Sequence, residues 1–340
     1  MTEEIASFPD PSPGGYESSG LVPGAPAGAG DSVVFAETAR VAQSLRQGLA
    51  GVVLGAADAI EVAVVAALTG QHLLIEDVPG VGKTVLARAL ATALGVRLSR
   101  VQGHPDLLPS DVTGVTIYSP ATQSWEFRPG PVFGHVILLD EMNRTPPRTQ
   151  SALLEAMEER QVTVDGESWA LPQPHLVIGT QNPLGQLGTY PLAESQLDRF
   201  GLSTSIGYPD APTEAQLVIH HGGRTALAEL VPVTDPLGWE RTIASTATVG
   251  VSAVVAEYAV ALVRASRSLS GVRLGASPRA AITLISAAQG AAVLAGRPYV
   301  TPDDVQKMAA PVLAHRLLTD DGHSDQAVRR LLVETPPPVA

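Results

Sequence analysis

The stretch LLIEDVPGVGKTVLARAL, residues 73–90, decides how the rest of the chain is read. A short apolar run leads into a Gly/Pro loop, and the loop leads into a helical pattern. Its end, Gly82-Lys83-Thr84, fits the phosphate-loop pattern G-x-x-x-x-G-K-[ST], but Asp77 stands where that pattern has its first glycine. In such loops successive backbone N–H groups and a helix N-terminus face an anion. Asp77, Val78, Pro79, Gly80, Val81, Gly82, Lys83 and Thr84 are therefore the expected nucleotide-binding loop. Gly80 and Gly82 let the backbone approach, Lys83 reaches the β- and γ-phosphates of ATP, and the Thr84 hydroxyl ligates Mg2+. An acid at position 77 is tolerable only if its carboxylate points away from the phosphates, because two anions in contact repel.

Downstream, the strand–loop–helix order repeats. HVILLDE, residues 135–141, is a continuous apolar run ending in two acids. Asp140 can hold Mg2+, and Glu141 can orient and deprotonate an attacking water. HLVIGTQNP, residues 175–183, ends another such run and puts Asn182 at a strand end, where ligands of parallel sheets bind. Asn182 can position the water or touch the γ-phosphate. Arg199 in QLDRFG and Arg279 in GASPRA can each stabilise charge on that phosphate. The adjacent His220 and His221 have no acids beside them and read as helix surface, not as a metal site.

Continuous apolar runs alternating with helices predict a parallel sheet covered on both faces. Two segments read instead as hairpins: residues 114–130, which alternate, and QVTVDGESWAL, residues 161–171, turned at Asp165-Gly166. After YPDAPT, residues 208–213, Ala-rich helical patterns take over. In one of them Ser277 is the expected N-cap, with Pro278 at the first helical position. In another, Thr301 and Asp304 resemble a capping box. The expected organisation is a disordered Pro/Gly/Ser-rich tail (residues 1–32), an α/β domain (33–208), a helical lid (209–333) and a frayed C-terminus (334–340).

Composition narrows the function classes. The chain has 340 residues, with 22 Lys+Arg against 34 Asp+Glu and a net charge of −12, which argues against a broad nucleic-acid footprint. There is no cysteine, which excludes disulfides, thiol catalysis and Cys-based zinc sites. No basic segment followed by an apolar run opens the chain. An uncharged, Ala-rich run between Arg279 and Arg297 is interrupted by Thr283, Ser286, Gln289 and Gly290. Neither a secretory signal nor a membrane span is expected, so a cytoplasmic protein is.

The set EDVPGVGKT (76–84), ILLDEMNRTPPRTQSALLEAMEERQVTVDG (137–166), IGTQNPLGQLGTYPLAESQLDRF (178–200) and GASPRA (275–280) resembles the MoxR family of AAA+ ATPases, over residues 52–315. That resemblance implies an α/β fold with an AAA+ P-loop NTPase core, a parallel sheet and an all-α lid. It implies roles as well: Lys83 and Thr84 as Walker A, Asp140 and Glu141 as Walker B, and Asn182 as sensor 1. Arg199 would be an arginine finger acting on the neighbouring subunit's ATP, and Arg279 sensor 2 on the lid. Residues 114–130 match the helix-2 insert of this clade, with Tyr118 and Trp125 as an expected partner contact. GVVLG, residues 51–55, resembles the adenine-side segment, with Ala56 where the family has Gln. The implied activity is Mg2+-dependent ATP hydrolysis in a homo-oligomeric ring, expected to be a hexamer, that remodels a client protein. A protein with a von Willebrand factor A domain is the implied partner, without nucleic acid. The other readings are a DNA-acting motor or loader, a chelatase-type motor subunit and a nucleotide-gated scaffold.

Overall fold

The structure, a computed structural model, describes residues 29–182, 189–219 and 223–338. The tail up to residue 28, the pair His220-His221 and the last two residues lie outside the described residues. The first helix, α1 (Ala29–Val52), starts inside the segment expected to be tail, and α2 (Ala57–Thr69) follows it. The chain then alternates through β1 (Leu73–Glu76), α3 (Lys83–Ala93) and β2 (Leu98–Gln102). A short helix, α4 (Pro109–Thr113), leads to a hairpin of β3 (Gly114–Ser119) and β4 (Ser124–Pro129). Next come β5 (Val136–Asp140), α5 (Pro147–Glu159), a second hairpin of β6 (Gln161–Val164) and β7 (Glu167–Ala170), and β8 (Leu176–Gln181). The one-turn helix α6 (Glu194–Leu197) and β9 (Leu202–Thr204) complete the α/β part.

Five strands form one sheet in the order β2-β5-β8-β1-β9, and every neighbouring pair in it is parallel. Alternate residues of one strand enter two different cores. Ile75, Leu138 and Ile178 join the larger core, and Leu74, Ile137, Leu139 and Val177 the smaller. Side chains on a strand alternate between faces, so a run that is apolar throughout is what a sheet covered on both sides requires.

Beyond β9 the chain is almost wholly helical: α7 (Ala211–Ile219), α8 (Arg224–Glu229), α9 (Pro236–Ala247), α10 (Ala253–Ala265), α11 (Pro278–Leu294), α12 (Pro302–Leu313) and α13 (Ser324–Glu334). Except for α7, which buries no residue, these helices share the larger core with α1 and α2. The middle of α2 is apolar all round because it is enclosed by α1, α9 and α11. Gly290 lets α11 come close: a Cβ there would meet Val65 Cγ1 at 3.0 Å and Thr69 Cγ2 at 3.1 Å. On the other side, the buried Trp239 of α9 donates its indole N–H to the Ala67 carbonyl at 2.8 Å.

The capping details differ from expectation in one place. Ser277 occupies the N-cap of α11, but its hydroxyl donates to Asp198 Oδ2 at 3.0 Å and does not cap the helix. The nearby carboxylate is a stronger acceptor, and the fixed Pro278 ring leaves one fewer N–H to cap. At α12 the Asp304 carboxylate accepts from the Thr301 backbone N–H at 2.8 Å, and the Thr301 hydroxyl donates to the same carboxylate. Asp304 is also clamped by the Arg297 guanidinium.

Candidate nucleotide site

The loop between β1 and α3 carries two glycines in the left-handed region, Gly80 at φ +90° and Gly82 at φ +104°. Side chains rarely adopt that conformation, so the loop's curvature requires glycine at both positions. Nothing lies within 4 Å of where a Cβ would stand on either, so the loop faces open space. Below it is a cleft of about 320 Å3, lined by the loop, Lys83, Thr84, Asp140, Glu141 and Asn182, with Thr180 and Gln181 beside them. Residues from the ends of β1, β5 and β8 therefore meet at one place, at the carboxyl edge of the sheet.

Asp77 is buried and does not line this cleft. Its Oδ1 accepts from the Val78 N–H at 2.7 Å, and its Oδ2 accepts from the N–H groups of Ile206 and Gly207, both at 2.7 Å. The carboxylate is thus turned away from the loop's mouth, onto the segment that leads from β9 to the helical part. Its backbone N–H also bonds the Gln181 carbonyl of β8 at 3.1 Å.

The Lys83 ammonium donates to the carbonyls of Asp77 at 2.6 Å and Val78 at 2.8 Å. Burial lowers its pKa, opposed by the charges of Asp77, Asp140 and Glu141. Asp140 accepts the Thr180 hydroxyl at Oδ1, 2.8 Å, and Arg100 at Oδ2, 2.7 Å. Thr180 also receives the Glu141 backbone N–H at 2.9 Å, so one hydroxyl fixes both acids. Glu141 itself is left-handed, at φ +54°, a costly conformation for a residue with a side chain. Its carboxylate pairs with Arg144 at 2.8 Å. Thr180, Arg100 and Arg144 were not singled out from sequence; the position of Thr180 two residues before Asn182 in GTQN was the available signal.

Arg199 and Arg279 are together, but elsewhere. Both contact Glu158, the first at 3.2 Å and the second at 2.9 Å. They line a separate cleft with Arg160, Arg316, His72 and His175. His72, His175 and Arg199 all precede the first residues of their strands, so this cleft lies at the amino edge of the parallel sheet. Arg316, buried, builds the wall: it pairs with Asp198 Oδ1 at 2.7 Å and donates to the carbonyls of Phe200 and Gly201. The two clefts are separated by the length of β8, six residues at about 3.3 Å each, or roughly 20 Å.

An Mg2+ ion would find few protein ligands here. Among the described residues no group of three His, Asp or Glu side chains could hold a metal. Two hydroxyls, Thr84 and Thr180, and two carboxylates, Asp140 and Glu141, line the cleft, and of these Thr84 and Asp140 are the pair that would serve an ion. That donor set fits Mg2+, which keeps waters and takes phosphate oxygens alongside one or two protein oxygens. Also among the described residues, no helix is long and apolar enough to cross a membrane.

Residues 72–202 match a family model described as the ATPase family associated with various cellular activities (AAA), and residues 264–332 match an AAA lid domain. The chain is 46% identical over 270 residues to the uncharacterized protein YeaC of Bacillus subtilis, covering 78% of this chain and 83% of that protein. It is 35% identical over 331 residues to Chaperone MoxR1 of Mycobacterium tuberculosis, covering 94% of this chain and 86% of the relative. A solved structure of a candidate ATPase from Cytophaga hutchinsonii superposes with a TM-score of 0.83 at 31% identity, over 91% of this chain and 98% of that one.

Proposed function

Since the chain belongs to the MoxR family of AAA+ ATPases, we propose that it is an Mg2+-dependent ATPase that works only as a ring, with each active site shared between two subunits. The observation that carries this is the separation of the two clefts. Lys83, Asp140, Glu141 and Asn182 line one edge of the sheet, while Arg199 and Arg279 line the other, a span no arginine side chain bridges. An ATP on the glycine loop is out of reach of its own chain's Arg199 and Arg279, and the arginines at the cleft, Arg100 and Arg144, are tied to Asp140 and Glu141, which supports a finger supplied by a neighbour.

The steps assigned to this chain's residues follow. The Lys83 ammonium exchanges the carbonyls of Asp77 and Val78 for phosphate oxygens, which are stronger, charged acceptors. Thr84 and Asp140 would hold Mg2+, which neutralises charge on the phosphate oxygens when bound. The Glu141 carboxylate leaves Arg144 to take the proton of the attacking water, which Asn182 orients. Across the interface, Arg199 and Arg279 exchange Glu158 for the γ-phosphate as negative charge builds there. The ring, which we take to be a hexamer, uses this cycle to remodel a client protein together with a partner such as a von Willebrand factor A domain protein. The acidic chain, and a first hairpin whose one base is Arg128, do not favour a DNA motor.

Mixing inactive variants tests the shared site. Arg199→Ala is expected to bind an ATP analogue normally but lose turnover, and Lys83→Ala to lose both. Combined under conditions of subunit exchange, the two recover phosphate release, because some interfaces then hold an intact Lys83 and an intact Arg199. Full turnover by Arg199→Ala alone would overturn the assignment.

A further inference from the structure

The hairpins β3–β4 and β6–β7 pack side by side, with Phe127 and Trp169 stacked at 4.4 Å and 21°. A cleft of about 580 Å3 opens between them. Its walls are Trp125 and Phe127 from the first hairpin and Val164 and Trp169 from the second. While Trp169 is half-buried against the smaller core, two aromatics of the first hairpin are not turned into the core: Trp125 is 71% and Tyr118 49% exposed, in edge contact at 5.6 Å. A side chain that large and that exposed is costly to keep in water.

The charges on this cleft are of one sign. Register pairs Tyr118 with Trp125 and Thr116 with Phe127 on one face of the first hairpin, which puts Glu126 and Arg128 on the other. The charged groups that line the cleft are Asp165 and Glu167. Asp165 sits at φ +52° beside Gly166 at φ +85°, a two-residue turn that fixes its position at the rim. Neither carboxylate has a salt-bridge partner among the described residues.

We infer that this cleft binds an extended, arginine-bearing segment of a client or partner protein. An arginine side chain matches both features at once. Its apolar stem and planar head lie over tryptophan faces, and its donors reach a carboxylate at the rim. The same features exclude the usual alternative for exposed aromatics. Single-stranded nucleic acid stacks its bases on aromatic platforms only where a positive groove follows the backbone, and this rim would repel phosphate. The inference rests on the proposed remodelling function only in naming what the ring takes hold of, and it needs no ATP hydrolysis.

Tryptophan emission of the full chain reads the cleft directly, because Trp125 and Trp169 line it while Trp239 is buried in the helical part as a constant background. The probe is a short Gly/Ser/Leu peptide carrying three arginines, compared with the same peptide bearing glutamine in their place. The arginine peptide is expected to shift the emission saturably and to bind roughly tenfold tighter than the glutamine peptide. Binding weakens as salt is raised. Trp125→Ala and the pair Asp165→Asn/Glu167→Gln each lose that preference with unchanged thermal unfolding. Trp125 contributes little to the core, and Asn tolerates the left-handed turn as Asp does. Equal binding of the two peptides, or an unchanged preference in the carboxylate pair, overturns the inference. So does tighter binding of an oligonucleotide, or an emission shift with protein concentration alone, which would make the cleft a contact between copies. Repeating the titration with Lys83→Ala separates this result from the ATPase. Lost binding with normal turnover fails the cleft alone, and intact binding with failed mixing fails the shared site alone.

Discussion

Asp77 replaces a glycine at the start of a phosphate loop, and every oxygen of its carboxylate is already taken by backbone N–H groups. Asp77→Gly is therefore expected to change affinity for an ATP analogue by no more than about threefold by calorimetry, an effect within 1 kcal/mol. Hydrogen exchange should still detect the change, because the amides of Ile206 and Gly207 lose their acceptor and their protection. Lys83→Ala is the contrasting case. Losing charge-assisted bonds to the phosphates weakens binding by roughly a hundredfold. Glu141→Gln should retain the nucleotide and stall its hydrolysis, because an amide cannot accept the water's proton. The loop, the two acids and Asn182 were legible in the sequence because they are local, each at the end of an apolar run. That the Asp77 carboxylate must turn away from the phosphates was legible too; what it turns to was not. Its partners Ile206 and Gly207 lie 129 and 130 residues along the chain, and no local pattern announces them. Glu158, which joins Arg199 to Arg279, escaped notice for the same reason, being one of several glutamates on α5.

At the scale of elements, patterning carried further. Three sheet strands, β1, β5 and β8, and both hairpins follow from apolar runs, alternation and the Asp165-Gly166 turn, whereas β2 (LSRVQ) and β9 (LST) carry polar residues and show no such run. Ser277 shows where such reading fails: its N-cap position is correct, but a tertiary carboxylate outcompetes the helix for its hydroxyl. Gly290 shows a second kind of failure. A glycine inside a helix reads locally as a weakness of ~1 kcal/mol, but here it marks the approach of α11 to α2. Gly290→Val should force Val65 and Thr69 aside and destabilise the fold by about 1–3 kcal/mol. Urea unfolding checks this; a variant as stable as the parent would mean the helices separate freely.

For the whole molecule, buried histidines contribute to the response to acid: His72, lowered to about 3 by burial and the nearby His175, and two more. Burial lowers His175 to about 4 and His315 to about 3, the latter also through the adjacent Arg316. Both are neutral in the folded chain at pH values where the unfolded chain, near the ordinary 6.5, is protonated. The unfolded state then binds more protons, so stability is intact above about pH 6.5 and falls as pH drops towards 4. Each imidazole contributes a slope of at most about 1.4 kcal/mol per pH unit. Denaturant titrations at pH 5 and 7 measure it, and replacing His315 by Gln should flatten the curve.

The parallel sheet acts, finally, as a ruler. Loops of any length can be added at its edges, and the hairpins can be recast for a new partner. Neither change alters how far the phosphate cleft stands from the arginine cleft, because strand length alone fixes that interval. Adding two residues to each strand would move the clefts apart by about 7 Å. In the proposed ring, the arginine cleft of one subunit would then no longer meet the phosphate cleft of the next. In that ring, surface loops are free to change while the length of the five strands is not.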